Sequence, residues 1–266
     1  MAKQFEIKRL PGFTAIAMIC FIALYLPIAL LVVYAFNAGE SISTMQGFSF
    51  RWFVQAWSNQ QVIDASWRSI QIASVAAVSA TVLATMAALA TTRTNEYPGL
   101  TFKYAFINQP LMVPEIVTAV ALLIFFARVK VWTGYTGLGY LMIAHTAFCI
   151  PFAYLPIRAR LESMDLTLER AAADLYATPW KAFRRVTLPL LWPGILAGLM
   201  LAFVISLDDV VITEFVKSGG QDTLPTYMLG QLRRIITPEM NAISTVFLLL
   251  SVAIVTVFFF ISRKRD

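Results

Sequence analysis

The chain has 266 residues, of which 59% are hydrophobic and only 14% charged. Soluble domains carry about 25% charged residues, so this chain cannot cover a water-facing surface. A soluble enzyme and a soluble nucleic-acid-binding module are thereby excluded. The 21 Lys and Arg against 15 Asp and Glu leave a formal charge of +6, which in a membrane chain is first a matter of topology.

A hydrocarbon core takes about 20 apolar residues per helix, and six segments meet that need: 12–36, 69–91, 104–127, 138–157, 191–215 and 242–262. Lys3, Lys8 and Arg9 precede the first, as in a signal peptide. Its 25-residue length and the lack of a small-residue cleavage site favour a retained span. With the N-terminus in the cytoplasm, 14 of the 21 basic residues fall inside, including Lys3, Lys8, Arg9, Lys264 and Arg265. Seven fall outside: Arg51, Arg68, Arg128, Lys130, Lys217, Arg233 and Arg234. The positive-inside rule therefore puts both termini in the cytoplasm.

The second segment is rich in small residues, among them Ala73, Ala76, Ala77, Ala80, Ala84 and Ala88. Such residues let helix backbones approach closely where lipid gives no hydrophobic drive. Gly194 and Gly198 repeat the pattern in the fifth. Pro27, Pro110, Pro114, Pro151 and Pro156 each remove a backbone donor. They mark either bent helices lining a pathway or ordinary transmembrane kinks. Cys20 and Cys149 both sit in apolar runs, where two buried thiols are expected rather than a disulfide framework.

Glu115, Asp208 and Asp209 fall within spans, and Glu214 at the outer end of one. A carboxylate in the bilayer costs about 3 kcal/mol even on the lenient insertion scale, so these residues are candidates for a substrate pathway. Glu115 is 11 residues into a continuous third span, about 16 Å, and Asp208 is 17 residues into the fifth, about 25 Å. No basic residue is expected at those depths, so a cationic ligand is the natural complement. Consecutive aspartates point about 100° apart on a helix: one of the pair can face a lumen while the other bonds a neighbouring helix. Alternatively the helix ends before them and both are solvated.

The one long cytoplasmic connection runs over 158–189. Asp165 or Thr167 can cap a helix over 166–176, and Thr178-Pro179 offers a second start with proline at the first helical position. Two short helices at a bend are predicted, the first presenting Ala171, Ala172 and Ala173 to another protein. An amphipathic hairpin idle on the membrane is the alternative.

The stretch Leu168-Glu169-Arg170-Ala171-Ala172-Ala173-Asp174-Leu175-Tyr176-Ala177-Thr178-Pro179-Trp180, followed by Arg184-Arg185-Val186-Thr187-Leu188-Pro189, resembles the Glu-Ala-Ala loop of permease subunits of ABC importers. Arg170 stands where that family usually has Glu, with Glu169 beside it as an available acid, and Tyr176 stands where it usually has Gly. Phe36-Asn37, Pro114-Glu115-Ile116, the run from His145 to Cys149, the run from Ser206 to Val211, Thr223-Leu224-Pro225 and the run from Pro238 to Ala242 are similar to the second permease subunit of spermidine/putrescine importers.

The resemblance implies an all-α membrane protein, a single transmembrane permease domain of the type I importer fold. It implies a bacterial inner-membrane location, a second permease as partner, two ATP-binding cassette ATPases inside and a substrate-binding protein outside. It also implies an ATPase-coupling helix around Glu169, Ala171, Ala172, Ala173, Asp174, Tyr176 and Pro179, and an acid-lined path for a polyamine. An opine or amino acid as cargo, and a self-sufficient secondary transporter, are the rival readings.

No phosphate-cradling Gly-x-x-x-x-Gly-Lys-Ser/Thr run occurs, so ATP hydrolysis is assigned to other chains and no cofactor to this one. His145 and Cys149 share a helix face but leave a zinc site incomplete, so no metal is expected and His145 is read as a satisfied intramembrane histidine. No serine–histidine–acid set can be nominated, and the chain is read as a non-enzyme. Trp52, Trp57, Trp67, Trp132 and Tyr135 lie near span ends and are expected to form an interfacial belt.

Overall fold

A computed structural model describes residues 12–41, 44–93, 98–233 and 237–263. Lys3, Lys8, Arg9, Arg234, Lys264 and Arg265, used in the charge count, lie outside the described residues. The described chain is helical, with one isolated antiparallel bridge between Asn37 and Phe48. The helices are α1 (Phe13–Tyr34), α2 (Arg51–Ser58), α3 (Gln60–Thr92), α4 (Leu100–Met112), α5 (Glu115–Thr133), α6 (Gly139–Ser163), α7 (Thr167–Asp174), α8 (Pro179–Ala182), α9 (Leu188–Asp208), α10 (Val211–Val216), α11 (Leu224–Leu232) and α12 (Pro238–Arg263). A π-helical stretch, Phe183–Thr187, joins α8 to α9. Among the described residues, six helical segments are long and apolar enough to cross a membrane, as the apolar runs predict.

Three boundaries differ from the sequence reading. The third span is not continuous over 104–127: α4 stops at Met112, Val113 and Pro114 are extended, and α5 begins at Glu115. Proline clashes with a helical conformation at the residue before it, which accounts for the break at Val113. The apolar span is therefore Glu115–Thr133, with Glu115 at its start rather than its middle. The fifth helix does not run to residue 215, because Asp209 is extended (ψ 131°) and a new short helix follows. At its other end it is longer than predicted, since α8, the π stretch and α9 form one helical run, Pro179–Asp208.

The chain divides into two compact units. One comprises the stretch ending at Asn59 together with Leu232–Leu250. Its core is Ala35, Trp52 and Ala242, with Phe36 and Phe53 against them. Asn37 organises the loop after α1: its Nδ2 donates to the carbonyls of Ser41 and Thr44, both at 2.8 Å, and its Oδ1 accepts from Gln46 N–H at 2.8 Å. Trp52 donates its indole N–H to the Asn37 carbonyl at 2.8 Å and is 5% exposed. This corrects its assignment to an interfacial belt: the indole reaches a specific acceptor, so it packs inward. Trp57, Trp67, Trp132 and Tyr135 are exposed. Cys20, expected to be buried, lies on an exposed face of α1.

The second unit comprises Gln60–Gln231 and the stretch from Ser251. Here α3, α6 and α9 pack on one another. The alanines of α3 explain how: Ala73, Ala76, Ala77, Ala80, Ala84 and Ala88 are all buried, a face with no bulk to hold backbones apart. On α9, a Cβ at Gly198 would lie 2.7 Å from the Ala153 carbonyl oxygen, and one at Gly194 would lie 2.7 Å from Arg160 Cβ, so both glycines permit the close crossing with α6. The prolines inside α4, α6 and α9 are accommodated without a break.

Candidate functional site

The acidic candidates gather at the two helix interruptions. Glu115 opens α5, where the exposed N–H groups of a helix start favour negative charge. Asp208 closes α9, where the carbonyl end of the helix disfavours it. α5 packs against α10, and the Glu115 carboxyl comes within hydrogen-bonding reach of Asp209. Two carboxyl groups side by side in an apolar span require a cation or a proton as complement. The described lysine and arginine ion pairs go elsewhere, to Glu40, Asp64, Glu162, Glu169, Glu214 and Asp222.

The consecutive aspartates separate sharply. Asp208 is exposed, whereas Asp209 is buried and accepts from Ile212 N–H at 3.2 Å, Thr213 N–H at 2.9 Å and the Thr213 hydroxyl at 2.9 Å. Asp209 thus satisfies the start of α10. The helix ends at Asp208 instead of running on, but the pair divides as the first sequence alternative has it, one aspartate exposed and the other bonded to a neighbouring helix, and not as a solvated pair. His145, fully buried on α6, completes the cluster: its Nδ1 meets Ser206 Oγ at 2.8 Å and its Nε2 meets Thr213 Oγ1 at 3.0 Å. Because the Thr213 hydroxyl donates to Asp209, its oxygen accepts from His145, which assigns the imidazole proton to Nε2 and leaves Nδ1 to accept from Ser206. His145 is therefore a satisfied intramembrane histidine. Ser206 and Thr213 carry no charge signal and were invisible as its partners in the sequence.

Glu214 is answered within the chain. Lys217 Nζ donates to Glu214 at 2.6 Å and to Asp222 at 2.7 Å. Burial works against the charged amine, but the hydrogen bonds to Asp222 and Glu214 outweigh it and raise the lysine pKa above its ordinary value. Arg68, donating to the Asp222 carbonyl at 3.2 Å, and Lys130, donating to Ser218 at 2.9 Å, tie the same loop to α3 and α5.

The bend between the fourth and fifth spans is built from α7 and α8. Asp165 Oδ1 accepts from Thr167 N–H at 2.9 Å, and this bond holds its carboxyl below the usual aspartate range, but the N-cap of α7 is Leu166 and not Asp165 or Thr167 as anticipated. Thr178 is the N-cap of α8 with Pro179 following it. Ala171, Ala173, Asp174, Tyr176 and Pro179 are exposed and Ala172 is half-buried. Tyr176 has a left-handed backbone (φ 57°) and is 95% exposed. Its N–H donates to Ala173 O at 2.9 Å and that of Ala177 to Ala172 O at 3.0 Å, the pair of bonds that closes a helix on a left-handed residue, normally glycine. Glu169 turns inward instead, toward Arg93 at 3.3 Å and Thr187 at 3.0 Å. Nothing in the sequence pointed to Arg93.

Comparison with known proteins agrees with this architecture. Residues 101–264 match the family model described as the binding-protein-dependent transport system inner membrane component. The chain is 35% identical over 245 residues to the putrescine transport system permease protein PotI of Escherichia coli (strain K12), covering 91% of this chain and 87% of that one. It is 35% identical over 243 residues to the spermidine/putrescine transport system permease protein PotC of Haemophilus influenzae, covering 91% and 93%. Among solved structures, a bacterial ABC transporter involved in the import of the acidic polysaccharide alginate superimposes with a TM-score of 0.71 at 18% identity, over 95% of this chain and 96% of that one. The MetNI methionine ABC transporter gives 0.66 at 18% identity, over 80% and 98%. The chain belongs to the family of binding-protein-dependent transport system inner membrane components, the membrane-spanning permeases of ABC importers.

Proposed function

We propose that this permease carries polyamines, putrescine or spermidine, across the bacterial inner membrane. The observation that carries the reading is the meeting of Glu115 with Asp209, next to the exposed Asp208, at two helix interruptions, where a cation complements carboxyl groups that none of the described lysine and arginine ion pairs reaches. The names of the relatives add support, since both are polyamine permeases.

In this reading both termini are cytoplasmic, the chain forms a single transmembrane domain, and it pairs with a second, similar permease. Two ATPases dock at the exposed bend around Ala171, Ala172, Ala173, Asp174, Tyr176 and Pro179, and a binding protein delivers the amine from outside. ATP-driven closure draws the two bends together, the spans rock, and the amine passes the carboxyl groups of Glu115 and Asp208. Asp209 positions this region through its cap rather than meeting the amine squarely. A weakly binding path suits release inside, so selectivity rests with the binding protein.

Titration of the cognate binding protein with putrescine, spermidine, opines and amino acids tests the cargo. Micromolar binding of a polyamine is expected. Failure to bind any amine at that concentration contradicts the assignment.

A further inference from the structure

One carboxylate oxygen of α7, Glu169 Oε1, accepts the Thr187 hydroxyl at 3.0 Å and faces Arg93 Nε at 3.3 Å. Thr187 is buried at the foot of α9, and Arg93 follows directly on α3. Three elements therefore meet at one atom of the first bend helix. Apart from the half-buried Ala172, the rest of that helix faces outward: Leu168, Arg170, Ala171, Ala173 and Asp174 are all exposed. Two guanidinium nitrogens of Arg93, Nε and one Nη, are buried without a hydrogen bond, so the Glu169 carboxylate is the charge that answers them. Removing one partner of a sequestered pair leaves the other charge uncompensated, and such a pair holds its geometry more firmly than a solvated one. α3 and α9 in turn are packed through alanine and glycine faces that leave little slack.

We propose that Glu169 is the tie through which movement of the bend reaches α3 and α9, a positioning residue in coupling rather than a docking contact for the ATPase. This rests on the docking role of the bend set out above. A pull on α7 is passed by Glu169 to Arg93 and to Thr187 at once, so α3 and α9 move with it. The exposed face, where Arg170 replaces the usual acid, is left to meet the ATPase.

The test uses the whole importer, with both permeases, its ATPases and binding protein in liposomes. ATPase co-purification, ATP hydrolysis and putrescine transported per ATP are measured for Glu169→Gln, Glu169→Arg, Arg93→Glu and the double reversal Arg93→Glu/Glu169→Arg. The ATPase stays bound in all, hydrolysis continues, and transport per ATP falls about tenfold in the single variants, within the range coupling residues command. The double reversal recovers most of the loss. If Glu169→Arg does not assemble, Glu169→Gln, which preserves the size and the Thr187 bond, carries the same readout. Loss of the ATPase from Glu169→Gln makes Glu169 a docking contact and overturns the proposal, as does unchanged transport per ATP or a double reversal no better than its parents. The docking role itself is tested separately: if Ala172→Trp keeps its ATPase and transports normally, that reading fails instead.

Discussion

His145 Nε2 and Asp209 Oδ2 lie 3.5 Å apart, each side chain about 1% exposed. The pairing gives two adjacent aspartates different work. Asp209 is consumed by Thr213 and the first turn of α10, with His145 held behind the Thr213 hydroxyl, while Asp208, one residue earlier, ends α9 with an exposed carboxylate at the negative end of the helix.

Replacing each aspartate separates these roles. Asp208→Asn lowers putrescine uptake several-fold in reconstituted importer and leaves assembly and melting temperature unchanged. Asp209→Ala strips three donors of their acceptor and costs about 1–3 kcal/mol, seen as a lower melting temperature of the purified complex. Equal melting of the two variants refutes the division.

Tyr176→Gly removes the strain of a bulky residue at φ 57°, worth about 1 kcal/mol. The hydrogen bonds from Tyr176 and Ala177 to the end of α7 are retained by glycine, so amide exchange at residue 177 slows about fivefold. Faster exchange contradicts the account of this turn.

Gly198→Ala drives a methyl to 2.7 Å from the Ala153 carbonyl oxygen. Backbone is the neighbour there, so α6 and α9 must part, at a cost of about 1–3 kcal/mol. Thermal melting of the complex reads the loss, and an unchanged midpoint shows that the crossing is looser than described.

Lys217 supplies a pH dependence whose sign follows from its raised pKa. A group held above its unfolded value contributes fully below the ordinary lysine range and loses that contribution as pH rises through the higher folded value. Hydrogen exchange in residues 217–223 is therefore flat, after correction for intrinsic rates, from pH 6 to about 10, and protection falls above it. Lys217→Met removes the step. A fall in protection between pH 6 and 8 contradicts the assignment to this lysine.

Much of this was legible from residues alone, for identifiable reasons. Six spans follow from the length of apolar runs, and the bend from Thr178-Pro179 and the alanines before it. The small-residue face of α3 declares its packing because nothing else in the span could approach so closely. The helix interruptions were not legible: hydropathy sums over a break as if it were helix, and Pro114 interrupts while Pro110, Pro151 and Pro156 do not. The partition of Asp208 from Asp209 depends on hydroxyls from distant positions, Ser206 and Thr213, meeting His145 in space. The inward turn of Glu169 depends on Arg93, 76 positions earlier, at the end of another helix.

The most direct measurement compares putrescine uptake into liposomes holding this chain alone with uptake into liposomes holding it with its partner permease, ATPases and binding protein. Uptake only in the complete assembly, and only with ATP inside the compartment the bend faces, is the result predicted for a gate driven from its cytoplasmic side. Uptake by the solitary chain under an ion gradient, with no nucleotide present, contradicts it.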